Sequence, residues 1–214
     1  MTELYKKRIA QCPLFEGLKE TEFEKALAFY GASTASYKKG DTIASVSQTF
    51  PFFALVLGGS VGIYHDDQDG GRTVMAFVRQ GQLFGESLCY LKKEAEVHAV
   101  ALEDAVLLKL HAENLRILPK TPLEFDLQRR FFENLASRAL ALNDRIQLLS
   151  KSTIREKVNA MLAPFPKGKW ITFPFDREGM AFYLGVDRSA LSRELGRMQK
   201  ERLISFRKNA FMRL

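Results

Sequence analysis

Residues 177–202 read REGMAFYLGVDRSALSRELGRMQKER, and the fold of the chain follows outward from them. Two helical patterns meet at a tight turn. Met180, Leu184, Val186, Leu191, Leu195 and Met198 supply one shared apolar core, Ala181 is small where two crossing helices approach, and Gly185 supplies the turn. Asp187 is the natural N-cap of the second helix. The pattern is a helix-turn-helix whose second helix presents Arg188, Ser189, Ser192 and Arg193 outward. Arginine at the start of such a helix can bond guanine O6 and N7 bidentately, which neither lysine nor an apolar side chain reproduces.

Two short helices around a glycine are also an ordinary packing unit, so the surroundings decide. Ile204-Ser205-Phe206, Arg207-Lys208-Asn209 and residues 211–214 read as a β-hairpin wing with a basic tip. Residues 151–214 hold 14 Lys+Arg against 6 Asp+Glu, while residues 1–150 hold 18 against 19. A small basic segment joined to a near-neutral one is the charge distribution of a nucleic-acid reader, because phosphate neutralisation drives such binding. A basic membrane-surface helix would need a broad apolar face, and these charges are spread through a compact pattern with turns.

Upstream, Thr153 to Glu156 forms a capping box that opens a helix with Val158, Met161 and Leu162 on its apolar face. Pro164 and Pro166 end it, and Trp170 to Phe173 reads as a short strand. This places a boundary near residue 151. Before it, from Pro119 and Pro122 to about Ser150, Phe132, Leu135, Ala139, Leu142, Ile146 and Leu149 recur at spacings of 3, 4, 3, 4 and 3. Such a narrow seam on a long helix predicts pairing with a second copy, while Phe125 and Phe131 put aromatics on other faces, for packing on the protein's own N-terminal part.

Residues 37–110 have a different texture. Short β-rich runs alternate with glycine turns: Leu55 to Leu57 before Gly58-Gly59, Val61 to Tyr64 before Asp69-Gly70-Gly71, and Val74 to Val78 before Gly81. Val97, Ala99 and Ala101 alternate with their neighbours, as do Val106, Leu108 and Leu110, which predicts strands buried on one face. Many short strands make a sandwich or roll. Ahead of them, Thr21 and Glu24 read as a capping box opening a helix to about Tyr30, ended by Gly31.

The predicted architecture is α+β: a β-roll over residues 1–120, a dimerisation helix over 121–150 and a winged helix-turn-helix over 151–214. No run approaches a membrane span and no apolar segment follows the N-terminal charges, so a cytoplasmic protein without a membrane partner is expected. Cys12 and Cys89 are too few for a disulfide framework or the roughly four ligands of an iron-sulfur cluster, and they read as buried thiols, a redox pair being the alternative. His65, His98 and His111 read as solvated or satisfied rather than haem ligands, so no cofactor is expected. A roll-shaped metal-binding protein of the cupin kind would want a close His-x-His pair, and no catalytic motif assembles at useful spacing. Neither a metal site nor enzymatic activity is expected.

In order and spacing, the chain resembles the cyclic-AMP receptor protein and fumarate-nitrate regulator family over nearly its whole length. The residues that carry the likeness are Pro13-Leu14-Phe15 with Gly17-Leu18, Lys39-Gly40-Asp41, LGGSV at 57–61, Gly81 with Phe84-Gly85-Glu86, the long helix, and residues 185–204. The resemblance implies a double-stranded β-helix (jelly-roll) effector domain of the cyclic-nucleotide-binding kind, dimerisation through the long helix, and recognition helices in successive major grooves of an inverted-repeat operator on double-stranded DNA. RNA polymerase would be a further partner of an activator. It also implies base reading at Arg188, Ser189 and Arg193, and places Arg177 at the backbone or a neighbouring base.

The departures qualify this. Ser189 replaces the glutamate common after the first recognition arginine, so the half-site cannot be inherited. Glu194 stands where the family usually has an apolar residue, and pairing with Arg197 is the favoured reading of it. By resemblance an effector would lie near Gly85, Glu86 and Ser87. The arginine-serine pair that holds the cyclic phosphate in cyclic-AMP-binding members is replaced by Glu94-Ala95-Glu96-Val97, and the adenine-contacting positions correspond to about Leu140 and Ala141. Two carboxylates repel a phosphate, so cyclic AMP is disfavoured. An unknown small-molecule effector is expected, with effector-independent or thiol-redox control of the same fold as the alternatives.

Overall fold

The computed structural model describes residues 2–66, 72–173 and 175–214. They form two compact units, residues 1–137 and 138–214. The predicted turn at Asp69-Gly70-Gly71 lies outside the described residues.

The first unit opens with helix α1 (Glu3–Ala10), for which the sequence carries no clear signal, and α2 (Glu20–Phe29). The cap expected at Thr21 is instead at Lys19, whose backbone N–H donates to Glu22 Oε2 at 3.0 Å. Glu22 reaches this donor from the third helical position, so the helix starts two residues earlier than the Thr21 pattern suggests.

Two four-stranded antiparallel sheets follow. One has the order β1 (Ser33–Tyr37), β8 (Ala105–Leu110), β3 (Phe53–Gly58), β6 (Leu83–Phe84). The other has β2 (Thr42–Ala44), β7 (His98–Ala101), β4 (Ser60–Asp66), β5 (Arg72–Arg79). A short helix α3 (Glu86–Leu91) leaves the first sheet directly after β6.

The one-face expectation holds for β7, where Ala99 and Ala101 are buried between less buried neighbours, but not for β8. There Leu107 is buried as deeply as Leu108 and Leu110. The reason is layering. Leu107 joins Ala54, Val56, Val61, Ala99 and Phe84 in one apolar core, while Leu108 and Leu110 join Phe53, Leu55 and Leu57 against Ile9, Ala26, Tyr30, Leu127 and Phe131 from the helices. Strands β3 and β8 are therefore a middle layer with apolar matter on both sides, which removes the two-residue period from their burial.

Helix α4 (Pro122–Leu149) supplies Leu127 and Phe131 to that core, and the Tyr30 hydroxyl donates to the Leu127 carbonyl at 2.9 Å. Of the predicted seam, Phe132 meets Tyr90 and Phe131 edge-on and Leu135 packs partly on the core. Leu142 and Ile146 are 59% and 64% exposed, and Ala139 is exposed as well. Phe125 is not packed on the roll as expected but is also exposed, because two residues before Leu127 is about 200° round the helix, on the side away from the face that Leu127 and Phe131 bury.

The second unit begins within α4, because Leu148 belongs to the core of the C-terminal part. Helix α5 (Ile154–Leu162) carries the expected capping box, with Thr153 Oγ1 accepting from the Glu156 N–H and Glu156 Oε2 accepting from the Thr153 N–H, both at 3.1 Å. Strand β9 (Ile171–Thr172), helices α6 (Arg177–Leu184) and α7 (Arg188–Lys200), and the hairpin β10 (Ile204–Arg207) and β11 (Ala210–Arg213) complete it, the three strands forming one sheet in the order β10, β11, β9.

Candidate nucleic-acid interface

The helix-turn-helix is built by its caps and its core. Asp176 Oδ1 accepts from the Gly179 N–H at 2.8 Å and starts α6. Gly185 stops it in the left-handed conformation at φ +59, where a side chain would be strained. Asp187 starts α7: its Oδ1 accepts from the Ala190 N–H at 2.8 Å and from the Ser189 hydroxyl at 2.6 Å. Those bonds, the Ser189 hydroxyl first, hold the Asp187 carboxyl below the usual carboxylate range. A carboxylate kept ionised at a helix N-terminus also meets the positive end of the helix dipole.

Leu191, Leu195 and Met198 are buried against Met180, Ala181, Leu184, Val158, Leu162 and Ile204, which turns the opposite face of α7 to solvent. Arg188, Ser189, Ser192 and Arg193 are all exposed there. The serines differ from the arginines in what they already do. Ser189 is committed to the Asp187 cap, and Ser192 donates to the Arg188 carbonyl one turn back at 3.0 Å.

The expected pair of Glu194 with Arg197 is present at 3.4 Å. A shorter bond is not legible in the sequence. Arg155 of α5 donates from Nε to Glu194 at 2.6 Å and from its two terminal nitrogens to Glu201 at 2.7 and 2.9 Å. Partners 39 and 46 residues apart leave no periodic signal.

At the wing, Lys208 occupies the hairpin turn at φ +51 and is exposed, as is Arg207, whose guanidinium lies 5.0 Å from the Trp170 ring centre. Arg177 sits differently. It lies 4.9 Å from the Phe206 ring centre and 5.5 Å from that of Phe211, donates to the Lys208 carbonyl at 3.3 Å, and is half-buried, which lowers its pKa by desolvation. It thus joins the start of α6 to the wing turn.

In the roll, Gly85 turns at φ +84, and a Cβ there would stand 2.5 Å from Phe50 Cε1. Phe50, Phe52 and Phe84 form an aromatic cluster in the inter-sheet core. Glu86 is 2% exposed and accepts from Asn134 Nδ2 of α4 at 3.2 Å, whereas Ser87 is exposed. In the segment matching the phosphate-holding pair, the Ala95 N–H already donates to the Gln48 carbonyl and Glu94 and Glu96 are exposed.

Among the histidines, His98 Nε2 bonds Asp66 Oδ2 at 2.6 Å and His111 Nδ1 bonds the Pro51 carbonyl at 3.0 Å. Among the described residues no group of three His, Cys, Asp or Glu is placed to hold a metal, and no helix is long and apolar enough to cross a membrane.

Residues 34–121 match the cyclic nucleotide-binding domain family and residues 144–213 the Crp-like helix-turn-helix domain family. The chain belongs to the Crp/Fnr family of transcriptional regulators. It is 28% identical over 194 residues to the cyclic AMP receptor protein of Thermus thermophilus, covering 90% of this chain and 88% of that one. Solved structures share the fold. The c-di-GMP-responsive global regulator CLP of Xanthomonas campestris has a TM-score of 0.60 at 19% identity, over 91% of this chain and 99% of that one. FixK2 of Bradyrhizobium japonicum has a TM-score of 0.56 at 20% identity, over 85% and 92%.

Proposed function

We propose that the protein is a homodimeric regulator that reads an inverted-repeat operator through Arg188 and Arg193, and that its roll answers to a small molecule other than cyclic AMP. The observation that carries the DNA reading is the pair of exposed arginines at the N-terminal half of α7, a helix whose opposite face is buried in the domain core. Arginine there offers the planar fork that guanine requires. Lys208 and Arg207 on the wing would meet phosphates, with Arg177 acting through the wing it holds. Dimerisation is supported by the exposed apolar seam at Phe132, Leu142 and Ile146, which water would otherwise cover.

Against cyclic AMP stand the two carboxylates at 94 and 96, the engaged Ala95 N–H, and Glu86 bonded to Asn134. A reading without any effector is favoured by one specific contact, the Phe50 ring seated on Gly85 beside Glu86. Thiol control is not supported: burial pushes Cys12 up to about 12 and Cys89 to about 11, and a protonated thiol is a poor nucleophile.

Selection of duplexes from a random library by the full chain tests the proposal. Enrichment of a two-fold repeat supports it, and enrichment of a single asymmetric site would overturn the dimeric reading. Titration calorimetry with cyclic AMP tests the effector reading, which a micromolar constant would defeat.

A further inference from the structure

We infer that Arg155 is the positioning residue of the recognition helix: by gripping Glu194 and Glu201 together, it sets the rotation at which α7 presents Arg188 and Arg193. The inference rests on the reading of α7 as the recognition helix.

Glu194 and Glu201, the residue that caps the C-terminus of α7, are seven residues apart, about two helical turns, and so lie nearly in line on one face. One guanidinium spans both, its Nε on Glu194 and its terminal nitrogens forked on Glu201. The apolar contacts of Leu191, Leu195 and Met198 hold α7 against the domain, but apolar attraction has no direction and tolerates small rotations about the helix axis. A forked arginine fixes angle as well as distance.

Burial makes the grip obligatory. The Glu194 side chain is only 13% exposed, so its carboxylate needs partners, and Arg155 is the nearer of its two. The same contacts raise the Arg155 pKa and hold Glu201 below the usual carboxylate range. With its nitrogens on two carboxylates, Arg155 is not free to contact a phosphate itself. Its effect on DNA binding must pass through the orientation of α7.

The experiment uses the full chain, the duplex it enriches from a random library, and an unrelated duplex of equal length as probes. Arg155→Met should weaken the enriched duplex about tenfold or more, leave the unrelated duplex within about threefold, and leave the salt dependence of both unchanged. Arg155→Lys, which keeps the charge and loses the fork, should fall between. Adding Glu194→Leu to Arg155→Met removes the stranded carboxylate with its partner and should restore most of the affinity and discrimination.

Equal losses on both duplexes would overturn the inference, as would a double variant no better than the single one. A fall in the salt slope would make Arg155 a phosphate contact instead. If Arg155→Met fails to fold, the lysine and double variants carry the same comparison. Failure of the unsubstituted chain to enrich any duplex would overturn the recognition-helix reading, and the positioning role with it.

Discussion

Leu149, the last residue of α4, lies over Gly185, the turn of the helix-turn-helix, so closely that a Cβ on Gly185 would stand 2.9 Å from Leu149 Cδ2. The final turn of the long helix is thereby part of the C-terminal domain. Gly185→Ala meets two costs, the left-handed backbone, about 1–2 kcal/mol for an L residue, and the displacement of Leu149. Urea unfolding should show a loss of about 2 kcal/mol. In Leu149→Ala that second cost is absent, so the double variant should lose less than the sum of the two singles, whereas strict additivity would show that the contact carries no energy.

The seam is best tested where a single chain does not use it. Leu135 packs partly on the roll, so charging it confounds dimerisation with folding, but Leu142 and Ile146 are exposed. Leu142→Glu with Ile146→Glu should give a folded monomer in sedimentation velocity. A double variant that sediments as a dimer would remove these positions from the interface.

Base-reading and phosphate-binding side chains differ in what their removal does. Arg188→Ala or Arg193→Ala should cost roughly 1–3 kcal/mol of discrimination at one position in each half-site. Lys208→Ala should weaken all duplexes alike and flatten the slope of log K against log salt by about 0.9 for each phosphate left without its cation. Binding titrations against single-base variants at several salt concentrations separate the two. Arg188→Ala with intact preference and a lower slope would make Arg188 a phosphate clamp.

Two buried thiols give the protein an alkaline limit. Cys12 and Cys89 are raised from 9.0 to about 12 and about 11. A folded-state pKa above the unfolded one means that stability is fully present below pH 9 and declines as pH rises toward those values. The unfolded chain then releases protons that the native one keeps, worth up to about 1.4 kcal/mol per pH unit for each thiol. Urea midpoints between about pH 8 and about pH 11 should fall, less steeply in Cys12→Ala. At about pH 8 the native protein should resist iodoacetamide that modifies both thiols in urea.

How much of the molecule is legible in its sequence follows from how local each signal is. The caps at Thr153 and Asp187, the turn at Gly185 and the apolar face of α7 are each written within a few residues, and the structure has them in those places. The fork of Arg155 on Glu194 and Glu201 joins residues about forty apart and has no such signature. Helix α1 escapes a reading by pattern because its first and last turns are charged and only Ile9 is buried. The double burial of β8 escapes it because alternation describes a sheet with one wet face, and β8 has none. Arg177 carries the likeness of a DNA contact, and only the placement of Phe206 and Phe211 reveals its hold on the wing.

Trp170 is the sole tryptophan of the chain, and the guanidinium of Arg207 rests on its ring. The wing therefore carries its own optical probe. A phosphate that draws Arg207 away would leave the indole in a changed field, so the emission of the unlabelled protein should shift when DNA reaches the wing. Engagement of the recognition helix alone should leave the emission where it was, and the two contacts could be timed separately in a stopped-flow mixing experiment.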